Sequence, residues 1–254
     1  MGRFSAYILC GTPRSGSTLL CKMLSATGVA GRPHSYFRKE DLQEWAEYWG
    51  VPVSDDIDSP DFDRAYLAAM IRAGRAGTDI FGLRLMWASV VEATKRLNHA
   101  LAVDQDIARS IDAAFGPTFY IYVSRNDKIA QAISRVRAEQ SGLWHLTADG
   151  AVLEGAEILR PVSYDGARIA ELIQELQQDD ASWNAFFRER GIVPLKLVYE
   201  AVIANPNGAL QTIVEALGLD VEVARKIPVP TAKIANKESD LWIERFRQEQ
   251  TPKQ

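Results

Sequence analysis

The densest chemical signal in the chain is an eight-residue loop near the N-terminus. In Gly11-Thr-Pro-Arg-Ser-Gly-Ser-Thr18 two glycines stand at G-x-x-x-x-G spacing, between an apolar run and a helical pattern. Loops of this kind bind phosphate because successive backbone N–H groups converge on its oxygens, while the following helix adds partial positive charge. Gly16 admits a close backbone approach, and Ser15, Ser17 and Thr18 add hydroxyl donors. Ser17 stands where a nucleotide triphosphatase carries the Lys that reaches the outer phosphates, which leaves Arg14 as the cation of the loop. Without its surroundings the same stretch would read as a Ser/Gly-rich turn before a capped helix.

The elements around the loop favour the phosphate reading. Tyr7-Ile-Leu-Cys10 is a short buried-strand pattern, and the apolar periodicity from Thr18 stops at Gly28, a helix C-cap signal. Thr118–Val123 is the clearest strand, rich in aromatic and β-branched residues, with Ile80–Leu85 and Val193–Tyr199 as weaker strand patterns. A long helix is predicted from Asp165 to Arg190, with Ile169, Leu172, Ile173, Leu176, Trp183 and Phe187 at core-facing spacing. Strands alternating with helices predict an α/β fold with a central, mostly parallel sheet flanked by helices. Residues 50–62 read as a surface loop, and residues 141–164, which lack periodicity, as a lid-like connection. One domain over residues 1–254 with these two insertions is the organisation expected.

Composition narrows the classes further. The chain has 254 residues, 29 Lys+Arg against 33 Asp+Glu and a net charge of −4, which argues against a nucleic-acid surface. Its two cysteines, Cys10 and Cys21, lack metal-ligand spacing and suit a reducing cytoplasm. No apolar run approaches the roughly 20 residues of a membrane span, and the apolar start is too short for a signal peptide.

Pro13-Arg-Ser-Gly-Ser-Thr18 resembles the sulfate-donor loop of sulfotransferases, P-[KR]-[ST]-G-[ST]-[ST]. That loop grips the 5′-phosphosulfate of 3′-phosphoadenosine 5′-phosphosulfate (PAPS). Arg125, leaving the clearest strand, and Ser134, nine residues on, are similar to the 3′-phosphate element of the same superfamily. The nine-residue spacing is that of the bacterial trehalose 2-sulfotransferase family. Gly82-Leu-Arg-Leu-Met-Trp87 resembles its G-x-K-L-M-W segment, with Arg84 in the Lys position. Near the C-terminus, Lys233-Ile-Ala-Asn and Trp242–Phe246 resemble a segment that closes over the donor.

The resemblance implies a nucleotide-kinase-like P-loop fold, PAPS as donor, 3′,5′-bisphosphoadenosine (PAP) as product, and no metal. It implies donor contacts from Pro13, Arg14, Ser15, Gly16, Ser17, Thr18, Arg84, Arg125, Ser134 and Lys233. The acceptor it implies is a small hydroxyl compound, carbohydrate-like or a glycolipid head, bound by Arg32, Pro33, Tyr36, Phe37, Arg137, Gln140 and Trp144. It also implies a homodimer. Sulfuryl transfer is an in-line displacement in which the protein positions the reactants and stabilises charge, with Arg14 on the leaving phosphate.

One departure stands out. The family's general-base Glu lies in a G-E-P-Q-E-[FY]-F stretch, whose counterpart here is Gly31-Arg-Pro-His-Ser-Tyr-Phe37, with Ser35 at the position of the base. A serine hydroxyl cannot take that proton at neutral pH. His34 is one alternative base; Glu40, Asp41 or Glu44 from the following helix are others; loss of the carboxylate from position 35 is a third. Two further functions remain open on the sequence: a nucleotide kinase or triphosphatase, and a PAPS-binding protein without catalysis.

Overall fold

A computed structural model describes residues 3–53, 57–146, 152–155, 160–230 and 237–250. The chain opens with β1 (Ala6–Gly11) and α1 (Ser17–Ala26), then α2 (Leu42–Tyr48) and α3 (Pro60–Arg75) before β2 (Phe81–Met86). Next come α4 (Val90–Leu101), α5 (Ile107–Phe115), β3 (Thr118–Ser124) and α6 (Lys128–Ser141). A pair of short strands follows, β4 (Leu143–Leu146) and β5 (Val152–Gly155), and then the long α7 (Gly166–Glu189). The described chain ends with β6 (Leu195–Val198), α8 (Tyr199–Ala204), α9 (Pro206–Ala216) and α10 (Lys237–Gln250).

Strands β2, β1, β3 and β6 form one parallel sheet in that order, flanked by helices on both faces. All six residues of β1 are buried, as an inner strand covered on both faces requires. Its side chains alternate between two cores. Ala6, Ile8 and Cys10 join aromatic residues from α2, α3 and α7, whereas Tyr7 and Leu9 join Leu20 and Leu24 of α1 and Leu210 and Ile213 of α9. A third cluster binds α6, α7 and α10 through Ile133, Leu172, Leu176, Trp242 and Phe246.

Pairing of Gly11 with Met86 and Val123, and of Ser124 with Val198, brings the strands to a common carboxyl-terminal level. The Gly11–Gly16 loop, the Arg125–Asp127 turn and the start of α8 therefore gather along one edge of the sheet. In open parallel sheets this edge is where ligands bind.

The structure departs from the sequence reading in three places. Pro60–Phe62, expected in a loop, form the first turn of α3, with Ser59 capping the Phe62 amide and Pro60 in the first turn, where a missing N–H costs nothing. Part of the expected lid is the antiparallel pair β4–β5. The last strand is shorter than its pattern, because Tyr199 already begins α8.

Away from this edge, Arg96 of α4 is 2% exposed and meets Asp63 of α3, itself 1% exposed, at 2.6 Å. Its remaining donors reach Glu92 at 2.6 Å, the Ile57 carbonyl at 2.9 Å and Asp58 at 3.1 Å. The guanidinium thus fastens the segment ahead of α3 to α4.

Candidate functional site

The loop after β1 is shaped by close approaches that only glycine tolerates. A Cβ on Gly11 would lie 2.6 Å from the Val123 carbonyl oxygen. Gly16 has φ +85°, and a Cβ there would also strike the Tyr199 ring at 2.8 Å. Arg14 takes a left-handed φ of 65°, a conformation that costs a non-glycine residue about 1–2 kcal/mol.

Donors from outside the loop hold its carbonyls. Trp183 Nε1 of α7 donates to the Gly11 oxygen at 3.0 Å, and Gln131 Nε2 of α6 donates to the Pro13 oxygen at 2.7 Å. Arg125 Nη1 donates to the Arg14 oxygen at 3.2 Å. With those oxygens engaged, α1 starts after its N-cap Gly16 with no side-chain cap, so its first amides keep their capacity to bind an anion.

Arg14 and Arg125 meet at this loop from positions 111 residues apart in sequence. Arg14 Nε donates to Ser134 Oγ at 3.0 Å, and its Nη1 reaches the Trp144 carbonyl at 2.5 Å. Arg125 lies over the Tyr199 ring, 4.3 Å from its centroid, and burial pushes its pKa down without discharging so strong a base. Its Nε and Ser15 Oγ are buried polar atoms with no partner among the described residues. Two unsatisfied buried groups at one loop are costly unless a ligand completes them. The Glu200 carboxylate accepts the Asn126 and Asp127 amides at 3.3 and 3.2 Å. Burial opposes its charge, but those amides and Arg125 outweigh burial and hold its pKa below the usual range.

On the other side of the loop, the segment around His34 runs alongside β2, with a parallel bridge from His34 to Leu83. Extended backbone turns neighbouring side chains to opposite sides. Ser35 Oγ accepts from Arg84 Nε at 2.7 Å, and Arg84 Nη1 donates to Thr18 Oγ1 at 2.5 Å. Arg84 therefore links Ser35 to the first turn of α1.

His34 packs edge-on against Trp45, ring centroids 4.8 Å apart, with Nδ1 buried. Burial, reinforced by Arg84, Lys22 and Arg38, lowers its pKa from 6.5 to about 3. The unfolded chain takes up a proton there below about pH 6.5, while the folded chain refuses it until about pH 3. Native stability supplied by this residue is complete above pH 6.5 and is lost as pH falls through that window. Between pH 7 and 5 the loss amounts to about 2 kcal/mol. In urea denaturation at those two pH values, His34→Gln is expected to show a pH dependence smaller by about that amount; equal dependences would contradict this environment.

The other residues singled out by sequence are distributed as follows. Pro13, Ser15, Gly16, Ser17 and Thr18 form the loop with Arg14, and Ser134 faces it from α6. Tyr36 and Phe37, expected to face an acceptor, are 1% and 2% exposed and belong to the core. The Tyr36 hydroxyl donates to the Arg32 carbonyl at 2.5 Å, and Tyr66 donates to the Tyr36 carbonyl at 2.6 Å. Pro33 is buried and Arg32 exposed. Arg137 turns to α10, pairing with Glu238 at 2.7 Å and lying 5.3 Å from the Trp242 ring centroid. Gln140 accepts the Ser163 amide at 2.8 Å. Glu40 and Asp41 pair with Arg38 at 3.5 and 3.6 Å, and Glu44 is exposed on α2. Lys233 lies outside the described residues.

The Stf0 sulphotransferase family model matches residues 6–249. The chain belongs to the Stf0 sulphotransferase family. It is a sulfotransferase enzyme. Trehalose 2-sulfotransferase of Mycobacterium tuberculosis (strain ATCC 35801 / TMC 107 / Erdman) is 29% identical over 261 residues, covering 96% of this chain and 94% of that protein. The enzyme of the same name from Mycolicibacterium smegmatis is 29% identical over 271 residues, at 96% and 95% coverage. Among solved structures, the sulfotransferase domain of the Synechococcus PCC 7002 olefin synthase overlaps 95% of the chain and 94% of that domain, at TM-score 0.43 and 16% identity.

Several residues around this loop escape a sequence reading. Gln131 precedes Ser134 by one helical turn and is fully buried, yet a glutamine on a helix carries no signal of its own. Trp183 lies in the apolar stripe of α7, where its indole N–H is invisible to periodicity. Tyr199 stands at the end of a predicted strand, and only the folded chain brings it under Arg125.

Proposed function

We propose that this Stf0 enzyme transfers a sulfuryl group from PAPS to a hydroxyl of a small carbohydrate acceptor. The trehalose 2-sulfotransferases among its relatives support that acceptor class. The observation that carries the donor reading is the meeting of two anion-binding elements. Arg14 of the loop and Arg125 of the β3–α6 turn are joined by one hydrogen bond, and Ser134 accepts from Arg14. A nucleotide with anionic groups at both its 5′ and 3′ positions matches such a pair, and the buried Ser15 Oγ and Arg125 Nε await an acceptor there.

In this reading Arg14 and the amides at the start of α1 hold the 5′-phosphosulfate, while Arg125 and Ser134 hold the 3′-phosphate. Bound PAPS would supply an activated sulfur: the acceptor oxygen adds in line as the bond to the 5′-phosphate oxygen breaks, the leaving phosphate keeps that electron pair, and the acceptor's proton passes to solvent. Charge accumulating on the leaving phosphate falls beside Arg14, where fixed donors stabilise it without reorganisation. Arg84, bridging Thr18 and Ser35, presents a guanidinium between the loop and the acceptor side. Ser35 acts there as an acceptor from Arg84 and not as a base. The same reading places the enzyme in the cytoplasm, where this donor is made, as a homodimer.

Turnover with sulfur-labelled PAPS over a panel of disaccharides, glycolipid heads and phenols tests the proposal. Label is expected on a carbohydrate hydroxyl. Donor binding without transfer to any carbohydrate would overturn the acceptor reading and favour a binding protein.

A further inference from the structure

The residues behind the loop form a chain of contacts that ends on the two anion-binding elements at once. Gln131 is fully buried, and its amide has one defined orientation. Its Oε1 accepts from Lys128 Nζ at 3.0 Å, which turns Nε2 toward the loop. There Nε2 donates to Thr12 Oγ1 at 2.9 Å and to the Pro13 carbonyl at 2.7 Å. Lys128 uses its other two donors on the Arg125 carbonyl, at 2.6 Å, and on Asp180 Oδ2 of α7, at 2.5 Å. Asp180 is fixed in turn, because its Oδ1 accepts from the Tyr122 hydroxyl of β3 at 2.8 Å.

One ammonium therefore holds the backbone that presents Arg125, and through one amide the same ammonium holds the backbone ahead of Arg14. We propose that Gln131, oriented by the Lys128–Asp180 pair, is a positioning residue that sets the spacing between the loop and Arg125. It thereby sets the preference for a nucleotide with anions at both ends of its ribose over one with a 5′-phosphate alone. This rests on the donor reading given above. The Gln131 amide is spent on Lys128, Thr12 and Pro13, so its effect reaches the ligand through the Pro13 carbonyl and the Arg125 turn.

The test compares affinity for 3′,5′-bisphosphoadenosine with affinity for adenosine 5′-monophosphate, by calorimetry on the full chain. Gln131→Met keeps the volume and removes both bonds to the loop. Gln131→Glu keeps an acceptor for Lys128 but sets an oxygen against the Pro13 oxygen. Both are expected to lower the ratio of the two affinities by about tenfold or more, the scale of a buried hydrogen bond lost together with a carbonyl left unsatisfied. Asp180→Asn, at the outer end of the chain of contacts, is expected to lower it by about threefold, and it serves if thermal melting shows the Gln131 variants unfolded.

A ratio unchanged in variants that melt normally, or an equal loss of both ligands, would overturn the positioning role. The unsubstituted chain separates the two ideas: if it shows no preference for the bisphosphate, the donor reading itself fails, and the proposal with it.

Discussion

Arg125→Met is expected to weaken binding of 3′,5′-bisphosphoadenosine by about thirtyfold to several thousandfold, the 2–5 kcal/mol typical of truncating one member of a desolvated charge pair. Three observations place Arg125 at the top of this range. It is stacked on Tyr199, its Nε is buried without a partner among the described residues, and its Nη1 is already committed to the Arg14 carbonyl. A group so constrained pays little ordering entropy when an anion arrives. Arg125→Lys keeps the charge but loses the planar stacking and the fork, so an intermediate loss is expected. Calorimetric titration of both variants beside their melting curves separates affinity from folding. A loss below about threefold in a variant that melts normally would remove Arg125 from the donor site.

Arg96→Met is expected to have the largest effect on stability, about 3–5 kcal/mol, because it strands the buried Asp63 carboxylate. In the folded chain that carboxylate meets Arg96 at 2.6 Å and His99 Nδ1 at 3.1 Å, and burial already pushes its pKa up despite both partners. For a chain of this length, about 2–4 °C per kcal/mol translates the loss into a fall in Tm of about 6–20 °C. The double variant Arg96→Met/Asp63→Leu is expected to recover part of it, since an apolar pair avoids the desolvation that the ion pair must offset. Sulfuryl transfer well below the melting range should be little changed, because the cluster lies on α3 and α4, away from the loop. A Tm within 2 °C of the parent would contradict this reading of the cluster.

How far the sequence revealed this molecule depended on whether the signal was local. β1 and the loop after it were legible because a buried inner strand is apolar throughout and the loop needs glycine at Gly11 and Gly16. The Arg125–Ser134 spacing was legible because strand, turn and helix follow one another without interruption. Roles that depend on distant partners were not. Tyr36 and Phe37 differ from surface aromatics only by what packs on them, and Arg137 has the same residue type whether it faces a sugar or Glu238. Gln131 and Trp183 reach the loop from 118 and 172 residues away, so neither contact has a local correlate. The start of α3 did leave a signal, Ser59 followed by Pro60, but one that a Pro- and Asp-rich stretch conceals.

Ser35 is buried beside Arg84. The hydroxyl is held by Arg84 at 2.7 Å, and the same guanidinium reaches Thr18 at the mouth of α1. Position 35 thus lies one guanidinium away from the first turn of α1, and what stands there is a hydrogen-bond acceptor for a cation. His34 points away from it into an aromatic cluster that keeps the imidazole neutral.

Competitive calorimetry with 3′,5′-bisphosphoadenosine and ATP tests the central claim most directly. Arg14, Arg125 and Ser134 converging on one loop that lacks a Lys at Ser17 should bind the bisphosphate with a Kd of about 10 μM or tighter, and ATP at least about tenfold more weakly. Tight binding of ATP with no heat from the bisphosphate would contradict it, and would make the loop that of a nucleotide triphosphatase instead.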